Sequence, residues 1–250
     1  GLRIQDLTLR QPDKIPVLEM GGKNAAIVFA DSDLPTAAAE CARSAFLTAG
    51  QRCTSTSRIF VHRNIFDHFC SVFGSIARSF RVGDPFDPEN FCGPLISGSA
   101  AKRAESAIRE ARRIGGSPIL KGGRFNTGKG HFVRLSAHRF SKYPGRGRYA
   151  TEELFVPEVG IYPFSEMEEA ICNADDTDYG LALAVFTRRR PIFEKILHAT
   201  AHGVVNWNVG TTGASGRLPF GGRKKSGNAR PAAAFAIRNC VYPVSIRFKA

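Results

Sequence analysis

The chain has 250 residues, 43% of them apolar, and carries a formal net charge of +13 with an isoelectric point near 9.9. Such values are ordinary for a packed globular protein of one large or two small domains. The longest apolar runs, at 25–30 and 181–186, are far shorter than the roughly 20 residues of a membrane-spanning helix, so we expect a soluble, cytoplasmic protein without a membrane partner.

Apolar periodicity and turn-forming residues predict strands that alternate with helices along most of the chain. Gly50 marks the end of the first helix, because glycine most readily takes the left-handed conformation that follows a helix. Ser165 and Glu168 have the spacing of a capping box. In chain order we expect strand 25–29, helix 34–48, strand 58–62, helix 65–80, helix 97–114, strand 119–121, strand 156–162, helix 165–173, strand 181–187, helix 191–200 and strand 204–206.

Two segments do not follow this alternation. The segment 122–149 is rich in Gly, Arg and Ser and has little periodicity, which predicts a long surface excursion. The tail contains a glycine-rich loop at 210–227, a predicted short helix at 232–238 and a predicted terminal strand at 241–248. A terminal strand is suited to pairing with the sheet edge of another subunit, so we expect a homo-oligomer. The whole pattern predicts an α/β sheet with crossover connections.

The basic charge does not by itself predict a nucleic-acid partner. Basic residues are scattered, with short clusters at 188–190 and 223–225, and neither an RNP motif nor a zinc-finger spacing accompanies them. The charge is compatible with an anionic ligand. His198 and His202 are four residues apart on a predicted helix, but a third ligand is not nearby, so we predict no metal site.

Cys53 is a candidate nucleophile among the six cysteines, which are all at least twelve residues apart and are expected to be reduced. It lies in GQRCTSTSR, behind the glycine turn, where backbone N–H groups and Arg52 are expected to lower its pKa. The alternative is a small buried apolar side chain. Glu19 in LEMGGK is a candidate base, because an apolar setting would raise its pKa; the alternative is a solvated turn residue.

A second acidic candidate lies in TEELFVP at 151–157, where two glutamates precede an aromatic residue. With LEMGGKN, GQRCTS 34 positions after Glu19, NWN at 206–208 and LPFGGRKKSGN at 218–228, this motif completes an ordered set along nearly the whole chain. The set resembles the aldehyde dehydrogenase superfamily. The closing segment is most similar to the branch that oxidises N-succinylglutamate 5-semialdehyde in arginine catabolism.

This resemblance implies a fold, a cofactor and a role for each motif. Cys53 matches the nucleophile, which passes through a thiohemiacetal and a thioester, and Glu19 matches the base that activates water. Glu153 and Phe155 match the residues that hold the ribose and ring of NAD or NADP, and Gly21 is assigned to the same site. The substrate would be a small aldehyde, and Arg52, Arg217 and Arg230 are candidate partners for its carboxylates.

The resemblance also implies that the chain is the carboxy-terminal half of such an enzyme. We expect a remnant of a Rossmann-like cofactor domain at 1–20, a catalytic domain at 21–209, and at 210–250 the glycine-rich loop, short helix and oligomerisation strand. Val156 stands where the family usually has glycine. The alternative function is that of a truncated, catalytically dead remnant that acts only as an interaction module.

Overall fold

A computed structural model describes residues 1–125 and 129–249. Its helices and strands confirm the predicted α/β class. The helices are α1 (Leu2–Thr8), α2 (Leu34–Phe46), α3 (Phe66–Ser79), α4 (Gly98–Arg113), α5 (Arg148–Thr151), α6 (Met167–Asp175) and α7 (Arg190–Ala199). The strands are β1 (Asn24–Val28), β2 (Thr56–His62), β3 (Ser117–Arg124), β4 (Val133–Arg139), β5 (Glu158–Phe164), β6 (Tyr179–Gly180), β7 (Ala182–Phe186), β8 (Val204–Trp207), β9 (Pro219–Phe220), β10 (Arg223–Lys224) and β11 (Ala232–Ala233).

Seven strands form one sheet in the order β3-β4-β5-β2-β1-β7-β8. All neighbouring pairs in it are parallel except β3 and β4. The strands β1, β5 and β7 are buried at every position, as expected for parallel strands covered on both faces. The helices α2 and α3 pack against each other on one face, and α6 packs against β1, β2 and β5.

The parallel strands give the sheet two different sides: an amino edge, where these strands begin, and a carboxyl edge, where they end. The segments around Gly22, Cys53 and Glu153 come just before β1, β2 and β5, so they meet at the edge where the parallel strands begin. The opposite edge is formed by the carboxyl ends of the same strands. A strand of seven residues such as β2 separates the two edges by roughly 20 Å.

The predicted surface excursion at 122–149 is wrong. Val133–Arg139 forms β4, an internal strand that pairs with β3 on one side and β5 on the other. Four of its seven residues are buried in a row, from Leu135 to His138. Two of them are polar, Ser136 and His138, and both contact the buried Glu158. Because two of its buried positions are polar, the strand lacks the apolar pattern from which a strand is predicted. Residues 126–128 of that segment lie outside the described part.

Three local predictions also need correction. Ser165 and Glu168 do not form a capping box, since the Ser165 N–H donates to Glu169 Oε2 at 2.9 Å and Glu168 pairs with Lys195. In place of a helix at 232–238, the tail has β11 and a 3₁₀ turn at Ala236–Asn239. Residues 241–249 are exposed and have no strand partner within the described chain. Their pairing with another subunit, like the domain boundaries, stays a prediction.

Arg58 is the largest fully buried side chain and joins three elements beneath the amino edge. Its guanidinium donates to the Lys23 carbonyl at 2.7 and 3.2 Å, and to the carbonyls of Asn173 and Ala174 at 2.8 Å each. These carbonyls belong to the segment before β1 and to the end of α6. Because their oxygens are out of reach of water, one side chain satisfies acceptors that would otherwise be costly to bury.

We therefore expect Arg58→Ala to lower the free energy of unfolding by about 3 kcal/mol or more, because several buried carbonyls lose their donor. Arg58→Lys keeps the charge without the planar fork and should fall between Ala and the parent. Arg103→Ala, at an exposed position of α4, is the matched control and should change stability by less than about 0.5 kcal/mol. Urea denaturation measures all three. Equal stability of the Arg58→Ala and Arg103→Ala variants would contradict the role of Arg58.

Candidate active site

The turn that carries Cys53 is formed by three consecutive residues in the left-handed region. Thr48, Ala49 and Gly50 have φ angles of 57°, 55° and 70°. The sequence predicts this conformation only for Gly50. A Cβ at Gly50 would collide with the carbonyl of Val156, so the turn packs directly on the backbone that follows Glu153. The close approach of these two segments places Cys53 and Glu153 in one site.

Asn24 holds the Cys53 loop at the start of β1. Its Nδ2 donates to the carbonyls of Cys53 and Ser55 at 2.7 and 2.8 Å, and its Oδ1 accepts from the Ala182 N–H at 3.0 Å. Asn24 is only 1% exposed. It stands inside the LEMGGKN motif, but its role was missed because a buried asparagine between two strands has no signature of its own in a single sequence.

A second contact to the loop comes from the glycine-rich segment near the end of the chain. Thr211 donates from Oγ1 to the Thr54 carbonyl at 2.6 Å, and its hydroxyl also lies 2.7 Å from that of Thr56. Thr211 is fully buried. Buried polar side chains therefore fix the carbonyls of Cys53 and of the two residues that follow it, whereas Cys53 itself is half-buried.

The thiol of Cys53 does not have the lowered pKa that the sequence predicts. Burial raises its pKa, and the negative charges of Glu19 and Glu153 raise it further. The backbone N–H groups of Cys53 and Thr54 act in the expected direction but are outweighed. Arg52 is not one of the causes: it is exposed and donates from Nε to Thr48 Oγ1 at 3.0 Å. A base must therefore remove the proton before this sulfur can attack.

Glu19 is held next to the thiol by the far end of the chain. It pairs in an antiparallel bridge with Gly227, and the Met20 N–H donates to the Ser226 carbonyl at 3.0 Å. Asn228 fixes the same segment by accepting from the Leu18 N–H at 2.7 Å. Burial raises the pKa of Glu19, as predicted, although the residue as a whole remains exposed to water. Its negative charge is one of the causes that raise the pKa of the Cys53 thiol.

Glu153 and Gly21 are also brought together. The carboxylate of Glu153 accepts from the Gly22 N–H at 2.9 Å, and a Cβ on Gly21 would collide with it. Burial raises the pKa of Glu153, while the Gly22 N–H and the positive charge of Lys23 lower it. The two glycines thus let a carboxylate approach the backbone closely. Burial, assisted by Arg58, lowers the pKa of Lys23 itself to about 7.

Phe155 stands beside Glu153 with its backbone in the left-handed region, at φ 57°, and the residue is 37% exposed. An exposed aromatic ring and a strained backbone are both typical of a binding position. Phe155, Glu153 and Ser55 line a cavity of about 20 Å³ behind the Cys53 loop. Val156, the departure from the family pattern, is buried, and its carbonyl packs on Gly50.

All six cysteines lie in the described part of the chain, and none is disulfide-bonded. Cys41, Cys70 and Cys92 are buried, and burial raises the pKa of Cys70 to about 12 and that of Cys92 to about 11. Cys172 and Cys240 are exposed. Cys53 thus has an environment of its own, being partly accessible and flanked by two carboxylates.

The other candidate residues lie outside this arrangement. His202 follows the end of α7 rather than sharing it with His198, and burial lowers its pKa to about 4. Trp207 stacks on Phe193 of α7 at a centroid distance of 5.3 Å and donates to the Thr187 carbonyl. Among the described residues no group of three or more His, Cys, Asp or Glu side chains could hold a metal ion, and no helix is both long and apolar enough to cross a membrane.

The three candidate arginines do not converge. Arg52 lines the small cavity beside Glu153, whereas Arg230 lines a separate cavity of about 410 Å³ next to β8 and donates to the Gly222 carbonyl. Arg217 is exposed in the glycine-rich loop. Their role as carboxylate partners of a substrate stays a prediction.

Known proteins resemble this chain in both sequence and fold. The model of the aldehyde dehydrogenase family matches residues 3–246. The chain belongs to the aldehyde dehydrogenase family. An N-succinylglutamate 5-semialdehyde dehydrogenase of Burkholderia pseudomallei (strain 1106a) is 36% identical over 238 residues, which cover 94% of this chain and 48% of that protein. The chain thus spans about half the length of this curated relative.

Solved aldehyde dehydrogenase structures show the same fold. The γ-glutamyl-γ-aminobutyraldehyde dehydrogenase of Burkholderia cenocepacia J2315 is 33% identical with a TM-score of 0.87, over 95% of this chain and 48% of the other. The betaine aldehyde dehydrogenase of Staphylococcus aureus, solved in complex with NAD⁺, is 27% identical with a TM-score of 0.85, over 96% and 48% of the two chains. The predicted aldehyde dehydrogenase fold is confirmed.

The proximity of the two glutamates to the thiol can be tested directly. We expect Glu19→Gln to lower the pKa of Cys53, since it removes a negative charge that disfavours the thiolate, and hence to speed alkylation at neutral pH. The measurement is the rate of iodoacetamide labelling of the Cys53 peptide against pH, followed by mass spectrometry.

Two controls accompany this measurement. Cys172 and Cys240 report on general reactivity within the same sample. Glu89→Gln, at a glutamate whose side chain is 76% exposed and pairs only with Arg81, should leave the Cys53 profile unchanged. Identical profiles for the parent and the Glu19→Gln variant would show that the carboxylate does not face the sulfur.

Proposed function

We propose that this chain carries the thiol, the base and the nicotinamide-riboside contacts of an NAD(P)-dependent aldehyde dehydrogenase. The observation that supports it most directly is that the segments of Glu19, Cys53 and Glu153, distant in the sequence, meet where the parallel strands begin. Glu153 accepts from the Gly22 N–H, Asn24 donates to the Cys53 carbonyl, and both carboxylates raise the pKa of the Cys53 thiol. The reaction is the oxidation of an aldehyde to a carboxylic acid.

The first step in this proposal is removal of the thiol proton. Because the pKa of Cys53 is raised, little thiolate exists at neutral pH, so Glu19 takes the proton as the sulfur adds to the aldehyde carbon. The C–S bond forms, and the carbonyl electrons move to oxygen, giving a thiohemiacetal. The raised pKa of Glu19 brings it nearer to neutrality, which suits a group that must both accept and release a proton.

The residues present fit one end of a nicotinamide cofactor. The partly buried carboxylate of Glu153 would accept hydrogen bonds from ribose hydroxyls, the absence of a side chain at Gly21 keeps its surroundings open, and the Phe155 ring offers an apolar face. When bound, the cofactor would supply the hydride acceptor. As the electrons on the alkoxide oxygen restore the C=O bond, the former aldehyde carbon would lose a hydride and remain as an acyl thioester on Cys53.

Hydrolysis completes the proposed cycle. Glu19, which has by then released the thiol proton to bulk water, removes a proton from the attacking water, and the resulting hydroxide adds to the thioester carbon. The C–S bond then breaks to give the carboxylic acid and a Cys53 thiolate, which Glu19 reprotonates. The exposure of Glu19 matters here, because the base must reach water. Activity should therefore fall as pH drops through the raised pKa of Glu19, where the protonated form no longer acts as a base.

The proposed substrate is N-succinylglutamate 5-semialdehyde, the compound named in the relative at 36% identity. A dicarboxylate agrees with the net charge of +13. Since the three arginines do not converge, Arg230 is the proposed carboxylate contact: it lines a large cavity with Asn206 and Ser215 next to the glycine-rich loop. We also propose a homo-oligomer and a cytoplasmic enzyme.

We further propose that these 250 residues need the remaining half of the relatives' length for turnover. The match covers 48% of the curated relative, and the loss of even one oxyanion donor costs about 10²–10³ in rate. The rival proposal, an inactive remnant that serves only as an interaction module, predicts no activity in any context. Reconstitution separates the two.

The experiment co-expresses the chain with the amino-terminal half of the Burkholderia pseudomallei relative and measures NADH formed from the semialdehyde. We expect activity in the complex, loss of it with Cys53→Ser, and with Glu19→Gln an acyl-enzyme that hydrolyses about 10²-fold more slowly or less, visible by mass spectrometry. Arg103→Ala should behave like the parent. NAD reduction at ordinary enzyme rates by the chain alone would refute the need for a second half. A well-folded but inert complex would favour the remnant.

A further inference from the structure

A third cavity, of about 650 Å³, opens at the carboxyl edge of the sheet, on the far side from Cys53. It is lined by Arg63 just after β2, Pro163 near the end of β5, Arg139 at the end of β4 and Ser117 at the start of β3. Its volume is within the range of small-molecule sites. One strand, β2, joins the Cys53 loop at one end to Arg63 at the other.

The cavity lies where the direction of the chain connections changes. From β2 the chain continues into α3, which packs on α2; from β5 it continues into α6 and then to β7. The β1–β2 and β5–β7 crossovers run in opposite directions along the sheet, so right-handed connections place α2 and α6 on opposite faces. Neighbouring strands whose helices depart to opposite faces leave a crevice between their carboxyl ends, which is the usual ligand position in open α/β sheets.

The lining combines positive charge with an aromatic floor. Arg63 donates from Nε to Ser165 Oγ at 3.1 Å, so its guanidinium is anchored by one nitrogen while the two terminal nitrogens carry the remaining donors. The guanidinium of Arg139 lies 5.0 Å from the centre of the Phe66 ring. Phe66 and Phe140 line the cavity. A planar guanidinium suits a phosphate or carboxylate, and the rings suit an apolar group.

Asp67 is the one acidic residue in the lining, and it pairs with Arg139. The side chain of Asp67 is 83% exposed and that of Arg139 is 41% exposed, so water already screens the pair. Exposed ion pairs of this kind contribute little to stability. An incoming anion can therefore take the place of Asp67 on Arg139 at small cost.

We propose that this crevice is a ligand site for a small organic anion, whose phosphate or carboxylate lies between Arg63 and Arg139 and whose apolar part packs on Phe66 and Phe140. The site is independent of the thiol chemistry at the opposite edge. The crevice lies at the carboxyl edge of the sheet, and Cys53, Glu19 and Glu153 lie at the amino edge.

The test is isothermal titration calorimetry of the full 250-residue chain with phenyl phosphate, benzoate and inorganic phosphate at low ionic strength. We expect saturable one-to-one binding that is tighter for phenyl phosphate than for inorganic phosphate, since only the former reaches the aromatic floor. Comparison of phenyl phosphate with benzoate decides between phosphate and carboxylate as the preferred group.

Variants separate the site from the general attraction of a basic protein for anions. Arg63→Ala should weaken phenyl phosphate binding about tenfold, through loss of a charge-assisted hydrogen bond. Asp67→Asn should strengthen it severalfold by freeing Arg139. Arg103→Ala, which removes the same charge from an exposed position on α4, should change it less than twofold.

Thermal unfolding of each variant confirms that it is folded, which is expected because Arg63, Asp67 and Arg103 are all exposed. Equal weakening by Arg63→Ala and Arg103→Ala would show that the binding depends on net charge alone, and would overturn the proposal. So would the absence of saturable binding, or a Kd that Asp67→Asn leaves unchanged.

Discussion

The amide of Asn24 is the constraint on which the geometry of the active site depends. A planar group with two donors and one acceptor lies between β1, the Cys53 loop and β7, and satisfies two carbonyls and one N–H that are removed from water. Buried backbone groups of an irregular loop are costly unless they find partners. A loop that carries a reactive thiol cannot supply those partners from its own secondary structure, so a side chain from the neighbouring strand supplies them.

The same principle recurs around the site. Arg58 satisfies three carbonyls at the start of β1 and the end of α6, and Thr211 satisfies the carbonyl after Cys53. These side chains are rigid because they are buried and fully engaged, and they position the groups proposed to react without touching a substrate themselves. Glu19 and Cys53, in contrast, remain in contact with water. The result is a stable frame with accessible reactive groups at one edge of the sheet.

Charge sets the chemical character of that edge. Burial and the charges of two carboxylates favour the protonated form of the thiol. Attack assisted by a base therefore agrees with the structure better than attack by a preformed thiolate. A thiol that stays protonated until a substrate and a base are both in place is also less prone to oxidation or adventitious alkylation. The cavity at the carboxyl ends of the strands is lined by Arg63 and Arg139 and by one acidic residue, Asp67. Its charge is thus opposite to that of the two carboxylates that act on the thiol.

Local patterns predicted most of the elements, since apolar strands such as β1 and β7 and the aromatic face of α3 are encoded within a few consecutive residues. They failed at β4, because the buried Ser136 and His138 are compensated only by Glu158 of a different strand. They failed again at residues 232–238, where β11 and a 3₁₀ turn stand in place of the predicted helix.

Residue types and their order along the chain were enough to predict the α/β class, the family resemblance and the candidate residues Cys53, Glu19, Gly21, Glu153 and Phe155. The raised pKa of the thiol, the contacts by which Asn24 holds its loop, and the positively charged crevice at the opposite ends of the strands became visible in the folded chain alone. Electrostatic shifts and buried hydrogen bonds depend on distances between segments that are far apart in the chain. Such distances exist only once the chain has folded.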